Sequence, residues 1–232
     1  MKKVKIALLG LGNVGKGVLS IIRENKEQIV KRSGYEVEIA KILVRDVKKD
    51  RGVEVPTEIL TTSYEEILND NEIKIVVEVM GGIEPAKEYI IRAMEAKKQI
   101  VTANKMLLAT CGDEVFEKAD EMGVSFQYEA SVAGGIPIIN GISQSLTANK
   151  INTLYGIING TTNYILSKME LENLNFEDVL KEAQDKGYAE RNPEADVEGH
   201  DACRKIAILT SLISGQHVDF EKIHTEGITK IT

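Results

Sequence analysis

The chain has only two cysteines in 232 residues, Cys111 and Cys203, and they lie far apart with no CxxC pair and no Cys/His spacing. That excludes a disulfide-stapled scaffold and a structural zinc site, and it reads as two reduced thiols in a cytoplasm. No block of lysines or arginines occurs, and 29 basic against 36 acidic side chains leave a net charge of -7, which argues against a nucleic-acid surface. No apolar run approaches the roughly 20 residues of a membrane span. The Met-Lys-Lys start passes straight into a strand-like run, too short for a signal peptide. Internal repeats and low-complexity segments are also missing. What remains is a chain 43% hydrophobic, long enough for one large or two modest globular domains.

The first half alternates strand and helix. Residues 4–9 are continuously apolar, as in a strand buried on both faces, and lead into Gly10-Leu11-Gly12-Asn13-Val14-Gly15. Val14, Val18, Ile21 and Ile22 then have helical spacing. The GxGxxG glycines therefore fall at a strand-to-helix turn, where backbone N–H groups and the helix dipole hold a pyrophosphate; the alternative is a tight turn whose glycines serve packing alone. A second strand over 36–44 ends in Arg45-Asp46, at the edge that meets an adenosine ribose. A carboxylate there suits NAD and an arginine suits NADP; with Lys48, Lys49 and Arg51 following, the positive excess leans to NADP. Ser63-Tyr64-Glu65-Glu66 reads as a capping box, 73–79 as a third strand, and Pro85 as the start of a helix running to Lys97. A strand over 99–102 empties into Thr102-Ala103-Asn104-Lys105 at the carboxyl edge of the sheet, placing Lys105 near a ligand, and 124–129 reads as one more strand.

Past Glu129 the chain becomes small and flexible, Ala130-Ser131-Val132-Ala133-Gly134-Gly135-Ile136-Pro137, with a helix expected from Pro137 to about Ala148. Residues 153–158 read as a strand, Asn159-Gly160-Thr161-Thr162-Asn163 as a turn at a helix start, and Asn175 as the cap of a helix ending before Gly187. Residues 187–205 carry five carboxylates and three cations. Pro193 predicts an irregular loop over 190–196 and a new helix near His200, anchored by Ile206, Leu209 and Ile213. Asp201 and Lys205 then lie one turn apart: an acid/base pair able to move a proton on a small substrate, or a solvated pair at a helix start.

The motifs at Gly10-x-Gly12-x-Val14-Gly15, Thr102 to Lys105, Glu129 to Pro137, Asn159 to Asn163, and Gly187-Tyr188-Ala189-Glu190 through Pro193, Asp196, Gly199, Asp201 and Lys205 make the chain resemble homoserine dehydrogenase over nearly all its length. The resemblance implies a Rossmann-type, doubly wound α/β domain over 1–133 and an α+β substrate and dimerisation domain over 134–232. It implies NAD(P)-dependent interconversion of L-homoserine and L-aspartate 4-semialdehyde in threonine, methionine and isoleucine biosynthesis, by a cytoplasmic homodimer acting on a small molecule, with no nucleic acid or membrane as partner. Lys205 is then the proton-transferring residue, with Asp201 beside it, and Glu190, Asp201, Asp196 and Lys105 hold substrate. Gly10, Gly12, Asn13, Val14, Gly15, Arg45, Lys105 and Gly187 meet the cofactor. A monovalent cation such as sodium is implied on the Glu129 carboxylate and the carbonyls of Val132, Gly134 and Ile136, an oxygen-only set suited to a hard ion. Members of that family continue well past Thr232, which implies a C-terminally shortened chain with an incomplete substrate domain. Two other readings stand beside this one: another Rossmann amino-acid or sugar dehydrogenase, and a catalytically silent nucleotide-binding module.

Overall fold

The opening apolar run forms β1 (Lys2–Leu9), buried from Ile6 to Leu9. A strand covered on both faces has no polar side to alternate with, which is the situation of a central parallel strand. The computed structural model describes residues 2–232. Five more strands, β2 (Tyr35–Leu43), β3 (Leu60–Thr61), β4 (Ile73–Glu78), β5 (Gln99–Thr102) and β6 (Phe126–Gln127), complete one sheet in the order β3-β2-β1-β4-β5-β6. Every neighbouring pair is parallel. The order reverses between β1 and β4. Because crossovers are right-handed, the β1-to-β2 and β4-to-β5 connections, which step outward in opposite directions, fall on opposite faces, the doubly wound α/β arrangement expected.

Between the strands run α1 (Asn13–Glu24), α2 (Lys26–Ser33), α3 (Tyr64–Leu68), α4 (Ala86–Glu95) and α5 (Lys105–Met122). The face of α1 that packs is Gly15, Val18, Leu19 and Ile22, with Leu19 buried against Ile6, Leu8, Ile42 and Val77. Val14 and Ile21, expected on that face, are 53% and 57% exposed, because the helix is rotated to put the glycine against the sheet. Ser63 sits at the N-cap of α3, but its side chain makes no capping bond; its own N–H donates to Thr61 Oγ1 at 3.0 Å instead. The strand expected over 124–129 is only β6, followed by a tight turn at Glu129–Ser131.

The chain divides into two units, residues 1–131 and 132–232. The second contains α6 (Ile138–Asn140), α7 (Gly160–Glu172), α8 (Phe176–Asp185), α9 (Glu194–Val197) and α10 (His200–Ser214). Its core is Ile165, Met169, Val179, Ala183, Ala189 and Val197. The helix expected from Pro137 to Ala148 is cut short: after α6 the chain widens over Gly141–Ser145, with Leu146 N–H donating to Gly141 O five residues back. Residues 153–158, expected as a strand, form no ladder, and Tyr155 and Ile157 are 91% and 78% exposed. A strand needs a partner edge, and among the described residues the only sheet lies in the first unit, so the strand part of the expected α+β domain is not formed. The irregular loop expected over 190–196 contains one helical turn, α9, which begins at the Pro193 N-cap, where the missing N–H costs nothing. On α10, Leu209 is buried as expected, with Cys203, Ala207 and Ile208, whereas Ile206 and Ile213 are half-buried.

Candidate functional site

Each of the three motif glycines does a different job. Gly10 has φ +105°, and a Cβ there would lie 3.0 Å from Val79 O. A Cβ on Gly15 would lie 2.4 Å from Gly10 O, so only glycine lets the start of α1 approach the turn. Gly12 has nothing within 4 Å of a built Cβ. Its open side is where a pyrophosphate would approach the N-terminus of α1, and the cradle fits a dinucleotide. Gly10 and Gly12 floor a crevice of about 820 Å³ at the carboxyl ends of β1, β2 and β4, lined also by Asn13, Lys16, Arg45 and Arg51. Val14 is 53% exposed and does not line the crevice. At the rim Arg45 is exposed, and Asp46 spends one carboxylate oxygen on Lys48 N–H at 2.8 Å. Lys16, which the sequence reading passed over, lines the crevice and reaches Arg51 O at 3.3 Å.

Lys105 is the first residue of α5, behind the Asn104 N-cap, whose side chain accepts from Leu107 N–H at 3.1 Å. It therefore stands at the carboxyl edge of β5, as expected.

In the second unit, α10 sets Asp201 and Lys205 on one face. Lys205 Nζ lies 2.7 Å from Asp201 Oδ2 and donates to Ile158 O, also at 2.7 Å. Their side chains are 17% and 9% exposed, so this is not the solvated pair of the alternative reading. Burial pushes the Lys205 ammonium below its ordinary pKa, while the Asp196 carboxylate pulls the other way. Asn159 joins the group: its Nδ2 donates to Asp196 Oδ1 at 2.7 Å and to Asp201 Oδ2 at 2.9 Å. Its Oδ1 accepts from Thr162 N–H at 2.8 Å, which caps α7 and fixes which end of the amide faces the carboxylates. From the sequence Asn159 was legible as the first residue of a turn at a helix start, within one of the motifs that carry the resemblance, and had no role of its own.

Glu190 stands apart from this group. Its side chain is exposed, and its main-chain carbonyl accepts from Gln184 Nε2 at 3.0 Å. Gly187 ends α8 with φ +75°, a left-handed position that favours glycine. Of the residues implied for a cation, Glu129 belongs to the first unit, and Val132, Gly134 and Ile136 to the second. Val132 is fully buried, and Ile136 O accepts from Ile138 N–H at 2.8 Å. No cluster of three or more His, Cys, Asp or Glu side chains suited to a metal ion occurs among the described residues.

Residues 10–129 match the family profile "Homoserine dehydrogenase, NAD binding domain", and residues 137–232 match "Homoserine dehydrogenase". The chain belongs to the homoserine dehydrogenase family. It is 46% identical over 232 residues to the homoserine dehydrogenase of Bacillus subtilis, covering 100% of this chain and 54% of that one. It superposes with TM-score 0.93 on the crystal structure of a homoserine dehydrogenase from Thiobacillus denitrificans, at 46% identity, covering 100% of this chain and 54% of that one. A hyperthermophilic archaeal homoserine dehydrogenase in complex with NADPH superposes with TM-score 0.85 at 28% identity, covering 99% and 75%. The chain spans about half the length of the curated relatives it matches.

Proposed function

We propose that this chain carries the cofactor-binding and proton-transferring parts of an NADP-dependent enzyme that interconverts L-homoserine and L-aspartate 4-semialdehyde, on the route to threonine, methionine and isoleucine. The observation that carries the reading is Lys205, held out of water between Asp201 Oδ2 and Ile158 O. Oxidation removes a hydride from the alcohol carbon and a proton from its oxygen, giving aldehyde, reduced cofactor and one proton. The bound nicotinamide supplies the hydride acceptor. Lys205, as the neutral amine, takes the hydroxyl proton; in the reverse direction its ammonium donates that proton to the developing alkoxide. An ammonium has three N–H donors, and two are engaged, which leaves one for the substrate oxygen. Asp201, braced by Asn159, and the Ile158 carbonyl hold Nζ in place; Asp201 and Asp196 supply carboxylates for the substrate, and Glu190, exposed and apart from them here, is assigned to substrate on the resemblance alone. Lys105 and Gly187 are assigned to substrate and cofactor contact on the resemblance.

For the cofactor, Gly10, Gly12, Asn13 and Gly15 form the pyrophosphate cradle. Arg45 serves the 2'-phosphate, and the NADPH bound to the archaeal relative supports that choice. A cytoplasmic homodimer and a sodium-dependent step follow from the resemblance; light scattering and a sodium titration against choline test them. No described helix is long and apolar enough to cross a membrane.

The deciding assay follows reduced-nicotinamide absorbance with L-homoserine and NADP, on this chain and on one continued to the length of its relatives. Reduction with homoserine and not with other hydroxy or amino acids is expected of the longer chain. No reduction, or equal rates with unrelated alcohols, rejects the reading.

A further inference from the structure

Glu78, the last residue of β4, is 0% exposed, the most deeply buried carboxylate among the described residues. Burying a charge is costly unless every lone pair in use has a donor, and an apolar side chain would fill the same space without that cost. Glu78 has its donors. Oε1 accepts from Met80 N–H at 2.7 Å and Gly81 N–H at 3.2 Å, and Oε2 accepts from Thr102 Oγ1 at 2.6 Å. Thr102 Oγ1 in turn accepts from Asn104 N–H at 3.0 Å, and Asn104 Nδ2 donates to Gly82 O at 2.6 Å. The network closes on itself: the loop after β4 is held at Met80 and Gly81 by Glu78, and at Gly82 by the loop after β5.

That loop needs holding. Gly81 and Gly82 both have left-handed φ, +76° and +75°, and two adjacent glycines lose the most conformational freedom when fixed. The loop also faces the cofactor crevice. Val79, Met80 and Gly81 line it, and the Val79 carbonyl and Met80 Cα lie 3.0 and 3.2 Å from where a Cβ on Gly10 would be. The loop and the first motif glycine thus set each other's position.

We propose that Glu78 is a positioning residue for the dinucleotide: through two backbone N–H groups it fixes the crevice wall at 79–81, and through Thr102 it ties that wall to the loop that begins α5 at Lys105. The proposal rests on the crevice being the cofactor site and is independent of the homoserine chemistry.

NADPH titration of this chain, followed by fluorescence, tests it. Glu78→Ala frees both loop N–H groups and raises Kd about tenfold or more; Glu78→Gln keeps an acceptor oxygen for them and stays within about threefold of the parent. A purely structural role would lower the melting temperature of both without separating their Kd values. Should Glu78→Ala fail to fold, Thr102→Val weakens binding where Thr102→Ser does not. In the unmutated chain without cofactor, the Met80 and Gly81 amides are expected to exchange with solvent as slowly as sheet amides, because both are bonded to Glu78 Oε1. Folded Glu78→Ala or Thr102→Val with Kd within about twofold of the parent, or open-loop exchange at Met80 and Gly81, overturns the role of Glu78 alone. No NADPH binding by the parent overturns the crevice reading and this proposal together.

Discussion

Lys205 and Asn159 meet on a single oxygen: Asp201 Oδ2 lies 2.7 Å from the ammonium and 2.9 Å from the amide Nδ2. The amide spends its second N–H on Asp196. One neutral side chain therefore spaces two carboxylates beside one cation, and the lysine is held by geometry as well as by charge.

Lys205→Ala is expected to lower kcat by roughly 10² to 10⁴-fold, the usual range for removing a general acid or base, with cofactor affinity almost unchanged. Lys205→Arg keeps charge without a proton to exchange and stays impaired. Steady-state kinetics in a chain of the relatives' length checks both. A kcat within a few-fold of the parent would return the pair to the status of an ion pair with no chemical role.

The pH profile tests the environment of the same residue. Oxidation needs the neutral amine, and burial lowers the Lys205 pKa, so the rate should rise with pH to an inflection below 10.5, the ordinary value. Asp196 opposes that shift, so Asp196→Asn moves the inflection to still lower pH. An inflection that stays put or moves upward contradicts the assignment. The stability sign follows from the same shift. Below the folded pKa the lysine's destabilising contribution is fully present. Between that value and 10.5 the unfolded chain binds more protons, so stability from this group rises with pH.

Arg45 stands exposed at the rim of the crevice, where a 2'-phosphate would meet it. A charge-assisted hydrogen bond to phosphate contributes about 1.5 to 3 kcal/mol, roughly tenfold to a hundredfold in affinity. NADP should bind more tightly than NAD, and Arg45→Ala should narrow the gap. Equal dissociation constants in the unmutated chain reject this.

Gly12 and Gly15 separate binding from folding. At Gly12 a methyl group meets open space, so Gly12→Ala should melt close to the parent yet bind NADPH about tenfold more weakly or worse, because the methyl occupies the approach of the pyrophosphate. At Gly15 the methyl meets Gly10 O at 2.4 Å, so Gly15→Ala should lower the melting temperature as well. Thermal melts and cofactor titrations on the pair check it; similar melting temperatures would contradict the packing role of Gly15.

The Rossmann half was legible because its signals are local. A continuous apolar run, three glycines at fixed spacing and a proline at a helix start each act within a few residues, and β1, α1, β4 and α4 follow from them. Periodicity placed Val14 and Ile21 on the packed face of α1, and the close approach of Gly15 to Gly10 turned that face away. The pairing of Asp201 with Lys205 could be read from a spacing of four on a helix. Its burial could not, nor could the bracing by Asn159 and Ile158, because those residues lie over forty positions away along the chain. Glu78 shows as a lone carboxylate at the end of an apolar strand, and only the loops brought to it from 80–81 and 102–104 show what it holds. Residues 153–158 have the composition of a strand and no partner edge. Local sequence sets backbone preference and periodicity, whereas burial, ladder pairing and the company of a charge are decided by contacts between distant segments.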